Sequence, residues 1–458
     1  MNPPATPEKP DRPATSATPE TPILTHPGFR LLWASGTISG LGSWLLVVAL
    51  PFRVFQLTGS PAATGLTLAL ESLPALLIGP WAGALLDRRH LARAMWQADL
   101  ASAAAVALIL PAGGAGRLWL IYLAVLGESL ATTVFRPAAR ALTPAVMGTG
   151  PELNAANSLT ALTGSVLRLA APPLGALLLA GPGITAVLLI DIASYLASAC
   201  LIARLSRRIP APVPAAARHP KAPTAHRTTP AERPAELRTD LRAGLRHVAA
   251  TPLLRGPLLG NGVFLTANAA LTVLLVPFVV GRLHAPGYAV GYLVSGLGAG
   301  YVIGSAVSRR ALLALGIRRV LGATQLANAA AYFALFNAPT LPLAVAAAVL
   351  IGLPGSMLLI SVETHVQRTA PPGMLARVGA LFFAADSLAA VVGALGAPVL
   401  VAALGLPAAL NAISAFALLA VPVTLTSLPA PTPRADPTPP PGPAPPPDRA
   451  PPPGKPLR

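Results

Sequence analysis

The ionisable side chains that could do chemistry in this chain lie inside long apolar segments, where a charge is costly and therefore indicates function. Glu71 is nine residues from one end of its segment and Glu128 is ten residues into another, roughly 14–15 Å deep at a helical rise of 1.5 Å per residue. Arg168 reaches a similar depth in a third segment, so the three groups share one level of an apolar layer about 30 Å thick. In the second half of the chain, only Asp386 reaches a comparable depth.

Two carboxylates and one guanidinium at one depth can bind and release a proton. Burial disfavours a charged carboxylate, whereas a nearby arginine favours it, so a change of surroundings can move the proton. We therefore predict that Glu71, Glu128 and Arg168 form a proton-coupling site. Two other interpretations stay open: a structural ion pair such as Glu128–Arg168, and direct contact of a carboxylate with a bound cation. Because arginine does not deprotonate, Arg168 is expected to be a fixed counter-charge or an anion contact.

The composition places these residues in a membrane. The chain has 458 residues, of which 53% are hydrophobic and only 11% are charged, and the mean hydropathy is +0.63. Soluble domains have about 25% charged residues. The net charge of +17 would suggest a nucleic-acid partner in a soluble protein. The sidedness of the charge explains it better, so we expect no nucleic-acid partner.

Twelve apolar segments predict an all-α membrane protein with twelve transmembrane helices, because lipid offers no partner for an unpaired backbone amide. The predicted spans are 31–52, 62–86, 94–112, 118–138, 157–180, 184–204, 257–280, 287–307, 318–337, 341–364, 377–402 and 406–428. The two halves repeat in parallel: a Pro-Phe pair ends spans 1 and 7, and Gly65 corresponds to Gly291. This repeat predicts two six-helix bundles with a site between them.

The positions of the basic residues predict the orientation. With both termini in the cytoplasm, 29 of the 33 Lys and Arg residues lie inside, Arg168 lies within a span, and the outside turns hold only Arg53, Arg117 and Arg282. Cytoplasmic loops carry such an excess of positive charge. We therefore predict a multi-pass protein of the cell membrane with both termini cytoplasmic.

The predicted organisation has five parts. Residues 1–25 form a disordered cytoplasmic tail, 26–205 and 255–428 form the bundles, 206–254 form a cytoplasmic central loop, and 429–458 form a Pro-rich disordered tail. The second half of the central loop is predicted to be a basic amphipathic helix on the inner membrane surface. Its apolar positions are Leu237, Leu241, Leu245 and Val248.

A glycine-to-arginine turn between two spans occurs once in each half of the chain. Residues 79–93 read GPWAGALLDRRHLAR, and the same shape returns at 304–310 as GSAVSRR. The first copy resembles the loop between helices 2 and 3 of the major facilitator superfamily, Gly-x-Leu-x-Asp-Arg-x-x-x-Arg. The resemblance implies the major facilitator fold. It also implies that a latch of the conformational gate is formed by Gly83, Asp87, Arg88 and Arg93.

Two further patterns bear on this gate. Asp99 lies at the same inner depth as Arg136, so an Asp–Arg network there is predicted to hold the bundles together when the protein is open outward. The stretch from Ala171 to Ala176 resembles the Gly-Pro-x-x-Gly-Gly motif of antiporters in the superfamily. It keeps Pro172 and Gly175 of that motif, which favours antiport.

Several stretches together resemble the macrolide-efflux and enterobactin-exporter-like drug:proton antiporters of bacteria, among them FRLLWASGTISGLGSW, LESLPALLIGPWAGALLDRR and PELNAANSL. The resemblance covers about residues 28–428 and implies export of an amphipathic compound. Ser43 stands where family members often carry Asp, so coupling would depend more on Glu71 and Glu128. Apolar substrate contacts are expected from Trp33, Trp44, Phe52, Phe264, Phe278, Phe382 and Phe383.

The sequence thus predicts a monomeric, proton-coupled exporter of an amphipathic drug or secondary metabolite, with the lipid bilayer, protons and this small compound as its partners. No Walker motif, GxSxG motif, metal-ligand cluster or cysteine pair occurs, so we expect no enzymatic activity, no cofactor and no metal. One alternative is a siderophore or lysophospholipid transporter of the same fold. Another is a non-transporting sensor or scaffold, which the mid-membrane carboxylates disfavour.

Overall fold

The computed structural model describes residues 23–86, 90–148, 151–208, 244–371 and 374–428, and all regular structure in these ranges is helical. Predictions for Asp87, Arg88 and most of the central loop lie outside the described residues, as do those for nearly all of the two tails.

The first half of the chain forms six long helices. They are α1 (Pro27–Thr58), α2 (Pro61–Leu86), α3 (Leu91–Ala107), α4 (Leu118–Met147), α5 (Pro151–Ala180) and α6 (Ile184–Arg208). Their apolar sequences leave the backbone no hydrogen-bonding partner in lipid, so each segment satisfies its own amides as a helix.

The second half adds six more spans. Its continuous helix Val290–Phe336 contains two of them, because Gly316 has φ 73° and ψ 163° and reverses the chain. A residue with a Cβ is strained at such a positive φ. We name the limbs α8 (290–315) and α9 (317–336). The other helices are α7 (Pro252–Gly281), α10 (Leu341–Thr369), α11 (Leu375–Leu404), α12 (Leu406–Leu418) and its continuation α13 (Ala420–Ser427).

The twelve predicted spans are confirmed. Within the described ranges, ten helical stretches are long and apolar enough to cross a membrane by themselves. Val290–Phe336 counts as one of these ten stretches, although this helix contains two spans. The helix α3 is not among the ten, because it has only 17 residues.

The helices pack into two bundles that meet along two pairs of helices. In the first bundle α1 packs on α5 and α6, and α3 packs on α4 and α6; in the second, α10 packs on the α8–α9 hairpin and α7 packs on α11. Between the bundles, α2 packs on α11 and α5 packs on α8. We call the side of the α1–α2 turn the α1–α2 end, and the opposite side the α2–α3 end.

Along α5 and α8, the bundles touch at the α1–α2 end and separate towards the α2–α3 end, whereas α2 still contacts α11 at Gly79 and Phe383. In α5, the stretch 171–176 is largely buried, whereas nearly all of 155–166 is exposed or half-buried around the whole helix. In α8, 290–300 is mostly buried and 302–310 is mostly exposed. A cleft between α5 and α8 is therefore open towards the α2–α3 end.

One short piece of the central loop is described. Residues 244–250 are helical, and the Gly244 backbone lies beside Arg377 of α11. Val248 is buried, whereas Leu245 is exposed, so these two predicted members of one apolar stripe have different surroundings. Of these two positions, only Val248 packs in the core of the second bundle.

Candidate functional site

A polar cluster in the first bundle contains both predicted carboxylates. Tyr195 of α6 donates a hydrogen bond from its Oη to Glu128 Oε1 of α4, at 2.6 Å. Ser43 of α1 places its Oγ 2.9 Å from the same Tyr195 Oη. Ser129 of α4 donates to the backbone carbonyl of Glu71, which ties α4 to α2. Four helices thus contribute to one cluster, as the sequence predicted for Glu71 and Glu128 but not for Tyr195.

The carboxylate of Glu71 does not belong to the outermost face of α2. Leu77 is strongly exposed and Leu66 is moderately exposed, and at about 100° per residue Glu71 lies some 120–140° around the helix from both. Its backbone contact with Ser129 agrees with a position towards α4. Glu71 also lies within electrostatic range of Glu128.

The positive charge that acts on these carboxylates is Arg136 and not Arg168. Arg136 lies within electrostatic range of both Glu71 and Glu128. It is eight residues after Glu128 on α4, a rise of about 12 Å towards the α2–α3 end. In the described part of the chain, Arg168 forms no ion pair with either carboxylate. The alternative of a Glu128–Arg168 ion pair is therefore not what this conformation shows.

Arg168 lies between the two bundles. Its Cζ is 5.3 Å from the ring centroid of Trp44 on α1 and 5.1 Å from that of Tyr301 on α8. Both distances are within the cation–π range, where each contact contributes about 0.5–2 kcal/mol. Next to this residue, α8 comes closest to the α5 backbone at Gly298. Tyr301 was missed by the sequence analysis, because an aromatic residue in an apolar span has no signature of its own.

Two more carboxylates are buried in the first bundle. Asp191 of α6 accepts a weak hydrogen bond from Ser194 Oγ at 3.4 Å, and its Oδ2 has no partner among the described residues. Asp99 of α3 accepts a hydrogen bond from Ser198 Oγ at 2.6 Å. A buried carboxylate with so few donors is costly if charged, so both positions favour the neutral acid.

The predicted latch is only partly visible. Asp99 pairs with Ser198, and no ion pair joins it to Arg136 in the described residues. Gly83 lies in the last turn of α2, and Arg93 is exposed in the first turn of α3. The network was predicted for a conformation closed at the α2–α3 end, whereas this end is open here. The latch role of these residues therefore stays a prediction.

The antiporter-like motif lies where α5 touches both bundles. Gly175 faces the backbone of Leu45 on α1, and Pro172 and Ala176 face Gly291 of α8. These contacts belong to the closed α1–α2 end. The motif is thus placed where a bend of α5 would change the packing between the bundles.

The second bundle has its own polar pair. Asn261 of α7 donates a hydrogen bond from Nδ2 to Asp386 Oδ1 of α11, at 2.8 Å. Asn261 Oδ1 is buried without a partner among the described residues, and Glu363 of α10 lies within electrostatic range of Asp386. The sequence placed Asp386 at mid-membrane depth but did not predict Asn261 as its partner.

The predicted aromatic contacts divide into two groups. Trp33 donates a hydrogen bond from Nε1 to Thr163 Oγ1 across the α1–α5 contact at 3.0 Å, and Phe383 is exposed beside Gly79. Phe264 and Phe278 are fully buried within the second bundle, and Phe278 packs edge-on against Phe336 at 5.6 Å. Both rings are inaccessible in this conformation, and their contact with substrate stays a prediction.

This combination of two six-helix bundles, a cleft between them and mid-membrane charges defines a multi-pass membrane transporter of the major facilitator type. A family model described as "Transmembrane secretion effector" matches residues 17–448. The chain belongs to this family of the major facilitator superfamily, as its sequence motifs predicted, and it is not an enzyme.

Two characterised relatives and one solved structure illustrate the similarity. The chain is 28% identical over 418 residues to the enterobactin exporter EntS of Escherichia coli O1:K1 / APEC, covering 88% of this chain and 92% of EntS. It is 28% identical over 166 residues to the macrolide efflux protein A of Streptococcus pyogenes, covering 36% of this chain and 41% of that protein.

The fold is also found in a solved structure, that of a bacterial homologue of the iron transporter ferroportin in an inward-facing state. Its TM-score is 0.66 at 15% identity, and the match covers 89% of this chain and 99% of that one. At this identity the likeness concerns the fold alone.

Proposed function

We propose that this protein is a proton-coupled exporter that moves an amphipathic compound out of the cell by alternating access. The observation that carries the proposal is the cluster of Glu71, Glu128 and Tyr195 in the first bundle, next to a cleft that is open at one end only. Two relatives, an enterobactin exporter and a macrolide efflux protein, support the direction of transport.

The distribution of charge supports the orientation. Among the described basic residues, the α1–α2 end holds only Arg53, Arg117 and Arg282, and nearly all others lie at the α2–α3 end. By the positive-inside rule the α2–α3 end faces the cytoplasm. In the cell membrane the cleft would then open inward, the side from which an exporter loads its substrate.

The coupling follows from the positions of the groups. A carboxylate in an apolar span is more stable when it is neutral or hydrogen-bonded. A proton that enters from the outside neutralises Glu71 or Glu128, and Tyr195 then has a weaker acceptor on α4. Loss of this α4–α6 hydrogen bond and of the attraction to Arg136 changes the packing of the first bundle. Release of the proton to the cytoplasm restores both interactions.

The proposal is tested by transport into proteoliposomes that contain the full-length protein. Radiolabelled erythromycin, as a macrolide, and iron-free enterobactin are added outside while the lumen is kept acidic, so that cytoplasm-out molecules exchange substrate for protons. We expect the substrate to accumulate in the lumen above its external concentration, and we expect a protonophore to abolish this accumulation. Accumulation that is unchanged by the protonophore would contradict proton coupling.

A siderophore as the substrate is the second candidate, because the similarity to the enterobactin exporter extends over most of both chains. The same assay separates the two, since transport of enterobactin without transport of erythromycin favours the siderophore. Competition of lysophosphatidylcholine with either label tests the lysophospholipid alternative.

A further inference from the structure

The setting of Arg168 differs from that of an arginine with a structural role. Arg318, at the α8–α9 turn, donates a hydrogen bond from Nη2 to the backbone carbonyl of Leu425 at 2.9 Å. Among the described residues, no group accepts a hydrogen bond from the Arg168 guanidinium and no carboxylate pairs with it. Arg168 is also half-buried and not sealed from the cleft.

The two aromatic rings explain how this cation is held without a counter-ion. Trp44 and Tyr301 lie within 5.3 and 5.1 Å of Cζ, and a cation over a ring face is attracted by the ring quadrupole. Because no acceptor for the Arg168 N–H groups is present among the described residues, these donors are available to a ligand. A planar fork of N–H donors matches a carboxylate, sulfonate or phosphate.

The position of this group makes it part of the substrate path. Trp44 and Arg168 belong to the first bundle, and Tyr301 belongs to the second. Towards the α2–α3 end, both α5 and α8 are exposed beyond this level. A ligand that enters the cleft therefore meets Arg168 where the two bundles converge.

We propose that Arg168, Trp44 and Tyr301 form the anion-recognition part of the substrate site, and that the exported compound carries an anionic group attached to a flat apolar ring. The inference rests on the proposed export function, whose substrate class it narrows: of the two compounds in the transport assay, erythromycin, a cation, is expected to be the poorer substrate. The anion accepts hydrogen bonds from the guanidinium, and the ring packs beside the two aromatic side chains. A substrate held by α1, α5 and α8 at once draws the open halves of the bundles together.

The experiment compares three ligands that share one ring: 1-pyrenebutyrate, 1-pyrenebutanol and 1-pyrenebutylammonium. Energy transfer from tryptophan to pyrene reports binding to the full-length protein in lipid nanodiscs, without any gradient. The wild type should bind the anion at least tenfold more tightly than the alcohol, and the cation most weakly. Charge-assisted hydrogen bonds correspond to a factor of roughly ten to one hundred in Kd.

Variants identify the residue. Arg168→Gln should remove the preference for the anion, with a change below about twofold for the alcohol, and Arg168→Lys should keep part of it because the charge stays and the fork is lost. Arg282→Gln is the matched control, because Arg282 is an exposed arginine at the closed end. Size-exclusion profiles verify that each variant is folded.

Equal binding of the three ligands to the wild type would overturn the proposal even if no Arg168 variant folds. If Arg168→Gln weakens the binding of the anion and of the alcohol equally, Arg168 contributes to the packing between the bundles and not to recognition of the anion, which would also overturn the proposal. The transport assay tests the proposed function separately. Transport that is insensitive to a protonophore would contradict proton coupling, but it would not affect an anion preference measured in the binding assay.

Discussion

A carboxylate within an apolar span is costly unless it is neutral or receives hydrogen bonds, and the two glutamates of the first bundle meet this condition differently. Glu128 receives the Tyr195 hydroxyl at 2.6 Å. The Glu71 side chain has no hydrogen-bond donor among the described residues and is exposed. Under the proposed function, we expect Glu71 to exchange protons with water and Glu128 to link the proton to the position of α6.

The first prediction concerns this carboxylate pair. The double variant Glu71→Gln, Glu128→Gln should lose uphill export, because glutamine keeps the shape and polarity of the side chain but carries no exchangeable proton. Binding of substrate in the absence of a gradient should be preserved. Transport against a concentration gradient in the double variant would rule out proton coupling through this pair.

The second prediction concerns Tyr195. Tyr195→Phe removes the hydroxyl that joins Glu128 to α6 and leaves Ser43 without this neighbour. A hydrogen bond to a charged group contributes about 1.5–3 kcal/mol, so proton-driven transport should fall by about tenfold or more. Tyr292→Phe is the control, because Tyr292 is an exposed tyrosine of α8. Equal transport rates in the two variants would mean that Tyr195 has no part in coupling.

At the scale of the helices, close backbone contact holds the second bundle together. Gly296, Gly300 and Gly304 recur every four residues along α8, and they face the backbone carbonyls of Val345, Val349 and Leu353 on α10. Small residues let two helices in a membrane approach closely, where dispersion and interhelical contacts replace the absent hydrophobic driving force. This four-residue spacing of glycines is typical of tightly packed membrane helices.

The third prediction concerns this contact. Gly300→Ala places a Cβ against the α10 backbone, 2.7 Å from Leu353 N, so the helices must separate. Overpacking of this kind costs about 1–3 kcal/mol, and the thermal midpoint in detergent should fall. Gly262→Ala on α7 is the matched control, since a Cβ there meets nothing within 4 Å. A midpoint for Gly300→Ala equal to or above that of the control contradicts the proposed packing.

The sequence predicts the helices better than it predicts their partners. Long apolar runs fix the spans, and the fold was predictable from them together with the repeated glycine-to-arginine turn. Partner choice depends on how each helix is rotated, and an apolar span shows little difference between its faces. The alternative that paired Glu128 with Arg168 came from depth alone, and Tyr195 is the partner of Glu128 in the structure. Tyr301 and Asn261 were missed for the same reason.

At the scale of the whole molecule, α5 and α8 join the two bundles at one end and are apart at the other. The contacts of α5 with α8 and of α2 with α11 are the ones that must change if the cleft is to open on the opposite side. The latch predicted at Gly83, Asp87, Arg88 and Arg93 belongs to the end that is open here. Its predicted role is to stabilise the conformation in which this end is closed.

The fourth prediction concerns the latch. Asp87→Asn should lower the turnover rate strongly while the protein still folds and inserts, because only the balance between two conformations changes. Arg89→Gln is the control, because the family pattern does not require arginine at that position. Turnover of the Asp87→Asn variant equal to that of the control would reduce the motif to a determinant of orientation.

The central claim is that protonation of the first-bundle carboxylates shifts the two bundles between two arrangements, and one distance measurement tests it most directly. Spin labels are placed at Ser165→Cys on α5 and Ser305→Cys on α8, both exposed in the open half, after Cys200→Ser removes the single cysteine. Double electron–electron resonance in nanodiscs should show a long and a short distance whose ratio changes with pH, and a fixed ratio in the Glu71→Gln, Glu128→Gln background. A single distance at every pH, or the same pH response in the double variant, would contradict the account.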